Sequence, residues 1–507
     1  MDQQELFKPI PCDKFDLLSK EELIDLSKGL QDFNNQLQKA LIEANNKILS
    51  GEQKSFLLNE SLINIKNKLF GKSSEKSNKG SDKDRRRREK QARKRVLLPS
   101  DRYPNVDIIE KDIEFDELPG CPCCGAQMED SGLTEDSEYL SVIPKKFYVV
   151  KQKRHKYRCR SCQGALVTAP AIPRITPGSS YSDEMVVDVA MSKYLDLIPI
   201  ERYVQMASRS GVSGLAQNSL IELTHRLAMF TRPVYEGIKK LLLESKILHA
   251  DETPQRMLEG DKKSNWYYWG FSNDKASYFE ARDTRSGEVA ADLLKESKCQ
   301  YLMTDVFSGY ARAVNETNEH RVKQNLEKLI GLNCNAHARR KFKESEGNFS
   351  EESDFFIRLY RKIYRLEKPD KQDPLWRRSW QKLYMRVMDR RCQRIKSSYP
   401  RDSSIGKAVR YFSNNFEGLV GFTKDPILPI DNNAQERLLR SHVVGRKTWL
   451  GVHSRKGAET ASMMFSIVET CKLNEVNPRE YLKELIRDVH QEKPYFLPHE
   501  FKQRSFV

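Results

Sequence analysis

From Lys72 to Val96 the chain reads KSSEKSNKGSDKDRRRREKQARKRV, a stretch with almost no apolar side chains. Such a segment has too little surface to bury to offset the entropy lost on ordering it. One core cannot run through it, so residues 71–100 are expected to be a flexible basic linker between separately folded parts. The 507 residues agree, since at ~150 residues per domain they make about three. Within the linker, Arg85, Arg86, Arg87 and Arg88 suit contact with the phosphates of DNA as well as service as a solvated tether.

Ahead of the linker, Leu23, Leu26, Leu30, Phe33, Leu37, Ala40 and Ala44 alternate at spacings of three and four, the period of a coiled-coil seam. Residues 1–70 are therefore expected to be a helical coiled-coil segment. The polar linker that follows offers no nearby core, which favours self-association into a homo-oligomer over packing on the helix's own domain.

The formal charge of +16 fits a polyanionic partner. No apolar run approaches the ~20 residues needed to span a bilayer, so no membrane is expected. The first residues lack a basic region followed by an apolar stretch, and a cytoplasmic, nucleoid-associated protein is expected. Ten cysteines in this length are too sparse for a disulfide scaffold.

Four of those cysteines form two pairs, Cys121 with Cys124 and Cys159 with Cys162, each with two residues between. Four thiolates so spaced match tetrahedral zinc, and residues 101–175 are expected to fold as a ribbon around one structural ion. Cys123 is treated as spare, because adjacent cysteines rarely both fit one site. Residues 176–245 read as a helical module, with PIERYVQMASRSGVSGLAQNSLIELTHRL resembling a loose helix-turn-helix.

Strand-like runs then follow: SKILHAD, WYYWGFSN, SYFEARD and CQYLMTDVFSGY. Asp251 and Asp305 each close an apolar run, and two adjacent parallel strands would bring them to one edge. A helix starting at Asn432 or Asn433 carries Glu436 among Arg437, Arg440, Arg446 and Lys447, with Asp431 or Asn432 as its cap. If that helix packs beside the strands, three carboxylates can hold two divalent ions, magnesium or manganese, ~4 Å apart. The cations are then free to meet phosphates. Glu252, next to Asp251, is expected on the opposite strand face. His249 and the cluster of His337, Arg339, Arg340 and Lys341 are candidates for DNA contact. Residues 344–425, basic and amphipathic, read as a helical insertion.

The segments ILHADETP, LMTDVFSGY, CNAHARRKF, DNNAQERLLR and GRKTWLGVHSRKGAETASMMFSIVETCKLNEVNPREYL, in this order, resemble the hallmarks of transposases of the insertion-sequence 66 family, as do LFGKSSEK and the paired cysteines upstream. The resemblance runs from about residue 60 to 485. It implies a multidomain α+β protein with a ribonuclease H-like catalytic core at 246–472, followed by a C-terminal helical tail at 473–507. It also implies an Asp-Asp-Glu enzyme that cuts DNA at the ends of a mobile element and joins them to a target. Asp251, Asp305 and Glu436 fall on the acidic triad, and accessory proteins encoded by the element are implied partners. The chain departs from the family at Val306 and Phe307, where Gly-Tyr is usual, and at Asn335, where Trp is usual. Two rival readings keep the fold but change the activity: an inert DNA-binding relative, or a metal-dependent nuclease that only hydrolyses.

The ribbon generates the first prediction. Changing Cys121, Cys124, Cys159 or Cys162 to Ser should release the structural zinc and loosen the domain, whereas Cys123→Ser should keep both. Metal analysis of the purified variants checks it, and zinc retained after loss of any of the four would sink the assignment.

Overall fold

The computed structural model describes residues 19–70, 98–104, 106–113, 121–128, 136–143, 145–159, 164, 166–258, 265–367 and 373–504. Arg85 to Arg88 and Cys162 lie outside the described residues. The described residues fall into two compact units, one drawn from residues 19–70, 168–204 and 215–504 and the other from 98–167 and 205–214.

In the smaller unit two short strands, β1 (Lys156–Arg158) and β2 (Leu166–Thr168), pair with each other. Cys121 and its neighbours form a tight turn, in which Gly125 N–H donates to the Cys121 carbonyl at 2.8 Å and Cys121 N–H to that of Ala126 at 2.7 Å. The turn needs a left-handed residue, and Gly125 supplies it at φ +75°.

The larger unit starts with α1 (Lys20–Phe70), a helix of 51 residues and so ~76 Å long. It runs well past Ala44, the last residue of the expected seam, to the end of the expected helical segment. Its C-terminal part is anchored: Glu60 is buried, and its carboxylate accepts the Ser404 N–H at 2.6 Å, while Phe56 lies 5.7 Å from Phe349. Farther toward the N-terminus, Leu23, Leu30 and Leu37 stand exposed, Leu30 at 63%.

Helices α2 (Asp183–Tyr194), α3 (Ile200–Arg209), α4 (Gln217–Phe230) and α5 (Arg232–Leu243) lead into the sheet. Its strands are β3 (Ile247–Arg256), β4 (Asn265–Ser272), β5 (Ser277–Arg282), β6 (Tyr301–Thr304) and β7 (Ile330–Asn333), in the order β5-β4-β3-β6-β7. β3, β4 and β5 form an antiparallel meander, and β6 and β7 add in parallel on the other side of β3. The parallel crossovers run through α6 (Glu288–Glu296) and α7 (Ser308–Lys323). A parallel neighbour demands such a crossover, whereas the meander needs only short turns.

After β7 come α8 (Asn335–Ser345) and the expected helical insertion: α9 (Ser350–Leu366), α10 (Pro374–Ile395) and α11 (Ser404–Asn414). Its interior is continuous with the sheet, because Met303 and Leu332 join Phe342, Phe356, Tyr360 and Phe412 in one apolar cluster. Phe342 and Phe356 stack at 4.0 Å. Asn335 is buried and satisfied: Nδ2 donates to the Leu419 and Ile430 carbonyls, and Oδ1 accepts from Tyr360.

After the insertion come α12 (Asn433–Thr448), α13 (Arg455–Leu473), α14 (Pro478–His490) and a short helix at Pro498–Arg504. α13 is buried on nearly every side and covers the edge strand β5. Ser466 Oγ accepts the Phe279 N–H at 2.8 Å and Thr470 Oγ1 that of Ser277 at 3.0 Å. A bare strand edge is a template for aggregation, and here helix hydroxyls occupy its donors. Among the described residues no helix is long and apolar enough to cross a membrane.

Leu23, Leu30 and Leu37, exposed on a helix that is anchored nearer its other end, motivate a second prediction. Replacing Leu23, Leu30 and Leu37 together by Gln should weaken an oligomer by several kcal/mol, at ~1.5–3 kcal/mol per buried leucine. Sedimentation at matched concentrations is the check, and a variant that sediments like the parent would refute the seam.

Candidate active site

Parallel pairing of β3 with β6 ends at His249 opposite Met303. Two residues farther along each chain stand Asp251 and Asp305, so the register brings the two acids to the same level. Asp251 does not end its strand, contrary to the sequence expectation: β3 continues to Arg256 because β4 goes on pairing with it, Asp251 lying opposite Gly270. Only the β6 neighbour stops. The acid therefore sits on a strand held from one side, at the opening left on the other.

The third acid arrives on α12, whose Leu438 and Leu439 are buried as the pattern required. The helix approaches the sheet closely at Gly270, where a Cβ would stand 2.3 Å from Gln435 Nε2 and 2.8 Å from Phe279. A side chain at residue 270 would push away the turn that carries Glu436.

Asn432 occupies the N-cap position of α12, yet its side chain makes no cap bond. It is 1% exposed, and Nδ2 donates to the Ala250 carbonyl at 2.8 Å while Oδ1 accepts from His249 Nδ1 at 2.9 Å. Its own N–H donates to Cys334 Sγ at 3.2 Å. One residue thus ties the helix of Glu436 to the strand of Asp251 and to the start of α8. His249 is engaged in this bond, and burial holds its pKa below the ordinary value, which supports a packing role for it. Asp431 accepts from Tyr364 Oη at 2.8 Å and from the Asn433 N–H at 3.1 Å.

The electrostatics register the crowding. Burial, then the charges of Glu252 and Asp305 and more weakly Glu436, push the Asp251 carboxyl up to about 8, against the pull of the Glu252 backbone amide. Glu252 proves closely involved although its position suggested only the far face. Its side chain is 2% exposed, and it accepts from Arg285 at 2.6 and 2.8 Å and from Tyr310 Oη at 2.6 Å. Arg285 in turn lies 4.1 Å from the centre of the Phe307 ring. Phe307 follows the turn in which Asp305 Oδ1 accepts the Phe307 N–H at 3.0 Å. Arg285 and Tyr310 lie 33 and 58 residues from Glu252 in sequence, so no local pattern announced the network.

Glu436 has one oxygen 3.7 Å from His337 Nδ1 and the other 3.9 Å from the Arg340 guanidinium. Arg340, Arg437, Arg440 and Lys447 are exposed, while Lys341 lies over the Tyr411 ring at 4.8 Å and Arg339 is half-buried. Arg446 is not available in the same way. It donates to Thr253 Oγ1 and to the Pro254 carbonyl, fastening the end of α12 to β3.

Hard divalent cations take carboxylate oxygens, and a carboxyl with so high a pKa, buried among other acids, is what such a cation would relieve. Asp251, Asp305 and Glu436 offer the oxygen donors that magnesium or manganese takes, but among the described residues the donors that converge within 4.8 Å of one another are those of Cys334, His337 and Glu436. At the smaller unit, Cys121 fits zinc as a thiolate, since the backbone amides of Cys123 and Cys124 lower its pKa.

Residues 178–460 match the family described as "Transposase IS66 family", and residues 119–163 match the "zinc-finger binding domain of transposase IS66". The chain is also similar to the uncharacterized proteins y4jD and y4hP of Sinorhizobium fredii (strain NBRC 101917 / NGR234). It is 25% identical to y4jD over 81% of each chain, and 27% identical to y4hP over 80% of this chain and 77% of the relative.

The raised Asp251 pKa makes stability depend on pH. A carboxyl shifted from 3.8 to about 8 stabilises the fold in its protonated form, fully below its unfolded value and progressively less as pH climbs through about 8. In metal-free protein the melting temperature of the parent should therefore fall, relative to that of Asp251→Asn, between those limits. Magnesium should recover more of the parent's stability at the upper end. Parallel pH profiles for the two proteins would show that Asp251 is not so strained.

Proposed function

Because the chain belongs to the IS66 transposase family, we propose that it is a DNA transposase that binds the ends of an insertion sequence, cleaves them and joins them to target DNA. The observation that supports this reading is the parallel register that levels Asp251 with Asp305, together with the Asn432 bond that ties the helix of Glu436 to β3. In this reading the core is ribonuclease H-like. Its support is the β5-β4-β3-β6-β7 order, an antiparallel meander with two parallel strands added.

Two magnesium or manganese ions held by Asp251, Asp305 and Glu436 would supply an activated oxygen nucleophile and neutralise the leaving oxygen of a phosphodiester. The chain's own groups do the rest. Glu252, fixed by Arg285 and Tyr310, steadies the turn after Asp305 through Arg285, which rests on Phe307. Arg340, Arg437 and Arg440, exposed around the acids, position the phosphates that the carboxylates would otherwise repel. The zinc ribbon, the helices of residues 176–245 and the cations Arg85 to Arg88 extend the contact with DNA, and α1 pairs copies of the chain.

The test is substitution of the triad. Asp251→Asn, Asp305→Asn and Glu436→Gln should each abolish cleavage and joining of end DNA while leaving DNA affinity intact, since affinity rests on cations elsewhere. Asp431→Asn is the control and should cost little. Magnesium or manganese should restore activity after chelation, whereas calcium should support binding without efficient chemistry. Cleavage by Glu436→Gln at the parental rate would remove α12 from the site, and cleavage without joining would leave a nuclease.

A further inference from the structure

Glu436 faces a second set of ligands. Cys334, at the N-cap of α8, His337 one turn into that helix and Glu436 on α12 bring one donor atom each within 4.8 Å of one another. His337 Nδ1 and Glu436 Oε1 are buried from solvent, and neither has a hydrogen-bond partner among the described residues although they are 3.7 Å apart. Two orphaned acceptor-capable atoms facing each other across that gap are unfavourable unless something sits between them. Cys334 Sγ, fully buried, accepts the Asn432 N–H at 3.2 Å, as a metal-bound sulfur commonly does.

We propose that Cys334, His337 and Glu436 form an inhibitory site for a borderline divalent cation, zinc above all, distinct from the ribbon zinc. One sulfur, one imidazole nitrogen and one carboxylate oxygen, with water as a fourth ligand, suit zinc and are a poor set for magnesium, which takes oxygen. Zinc enters by displacing the thiol proton, which leaves to solvent, so that the sulfur binds as thiolate. The inhibition rests on the catalytic reading of Glu436. A carboxylate drawn to Cys334 and His337 is withdrawn from Asp251 and Asp305, and the triad is broken without any change in fold. The binding itself does not depend on that reading.

The experiment uses the full chain, purified free of metal and titrated with zinc. The parent should hold two zinc ions per chain, one in the ribbon and one here. Cys334→Ser and His337→Asn should each hold one. His337 is partly exposed, so its variant keeps the test alive if the buried cysteine variant fails to fold. Circular dichroism matching the parent qualifies each variant for the count. In a second arm, zinc that fills the weaker site should suppress cleavage of end DNA under saturating magnesium, and a variant that retains cleavage should need about tenfold more zinc or greater for the same suppression. A parent that binds no more zinc than His337→Asn overturns the site. Zinc bound at the second site with cleavage undiminished overturns the inhibition. If no metal supports cleavage by the parent, the transposase reading falls while the zinc count still decides the site.

Discussion

Several carboxylates are held next to one another in a partly buried setting, and every neighbouring element carries a device that holds them there. Like charges in a low dielectric repel, and each buried ion also loses its hydration. Left to themselves, the β3 strand, the turn after β6 and the first turn of α12 would drift apart. Asn432 prevents this by bonding the β3 backbone at Ala250 directly, with no charge of its own to add. Glu252 is neutralised by a two-pronged bond to Arg285, whose other face rests on Phe307. Gly270 removes the one side chain that would block the helix. The N-terminal end of α12 is itself favourable for a carboxylate, because the helix dipole presents positive charge to Glu436.

The remainder of the larger unit makes these clamps rigid. α13 covers the outer edge of β5 and satisfies its donors, so the meander cannot slide or pair with another chain. On the opposite side, the insertion packs into the same apolar cluster as β6 and β7, and Tyr364 on α9 bonds Asp431 immediately before α12. The insertion thus reaches the candidate site through the residue before Asn432. The end of α1, through Glu60 and Phe56, meets the ends of α9 and α11. Self-association through the free end of α1 would accordingly act on the same body that carries the acids.

Much of this was legible in the sequence for identifiable reasons. The strands around Asp251 and Asp305 announced themselves because β3, β4 and β6 are apolar runs of strand length, and the parallel register then made two distant acids level. Leu438 and Leu439 fixed the inner face of α12. What escaped were contacts without a period. β7, only four residues long, has no pattern to read. The extent of β3 past Asp251 depends on which neighbour remains paired, a property of β4 rather than of β3. Asn432 looked like a cap because Asn at a helix start usually is one, but its burial against β3 gave the side chain a better partner. Arg446 looked like a phosphate ligand until folding brought Thr253 and the Pro254 carbonyl within its reach.

The distribution of charge on α12 follows from these constraints. Under the proposed function this helix brings one carboxylate to an acidic cluster and also faces a polyanion, and those demands conflict on any single face. α12 separates them around its circumference. Gln435, Leu438, Leu439 and His442 turn inward against the sheet, with His442 set among Tyr268, Phe279 and Phe465 and kept neutral by burial, its pKa driven down to about 3. Glu436 lies at the boundary, half-buried, 3.7 Å from His337 and near enough to Asp251 for its charge to be felt there. Arg437 and Arg440 point outward one turn apart, on the side that remains open to a phosphate backbone. Under the proposed function, a lone glutamate among arginines lets one helix offer oxygen to metal on its flank and positive charge to DNA on its exposed face.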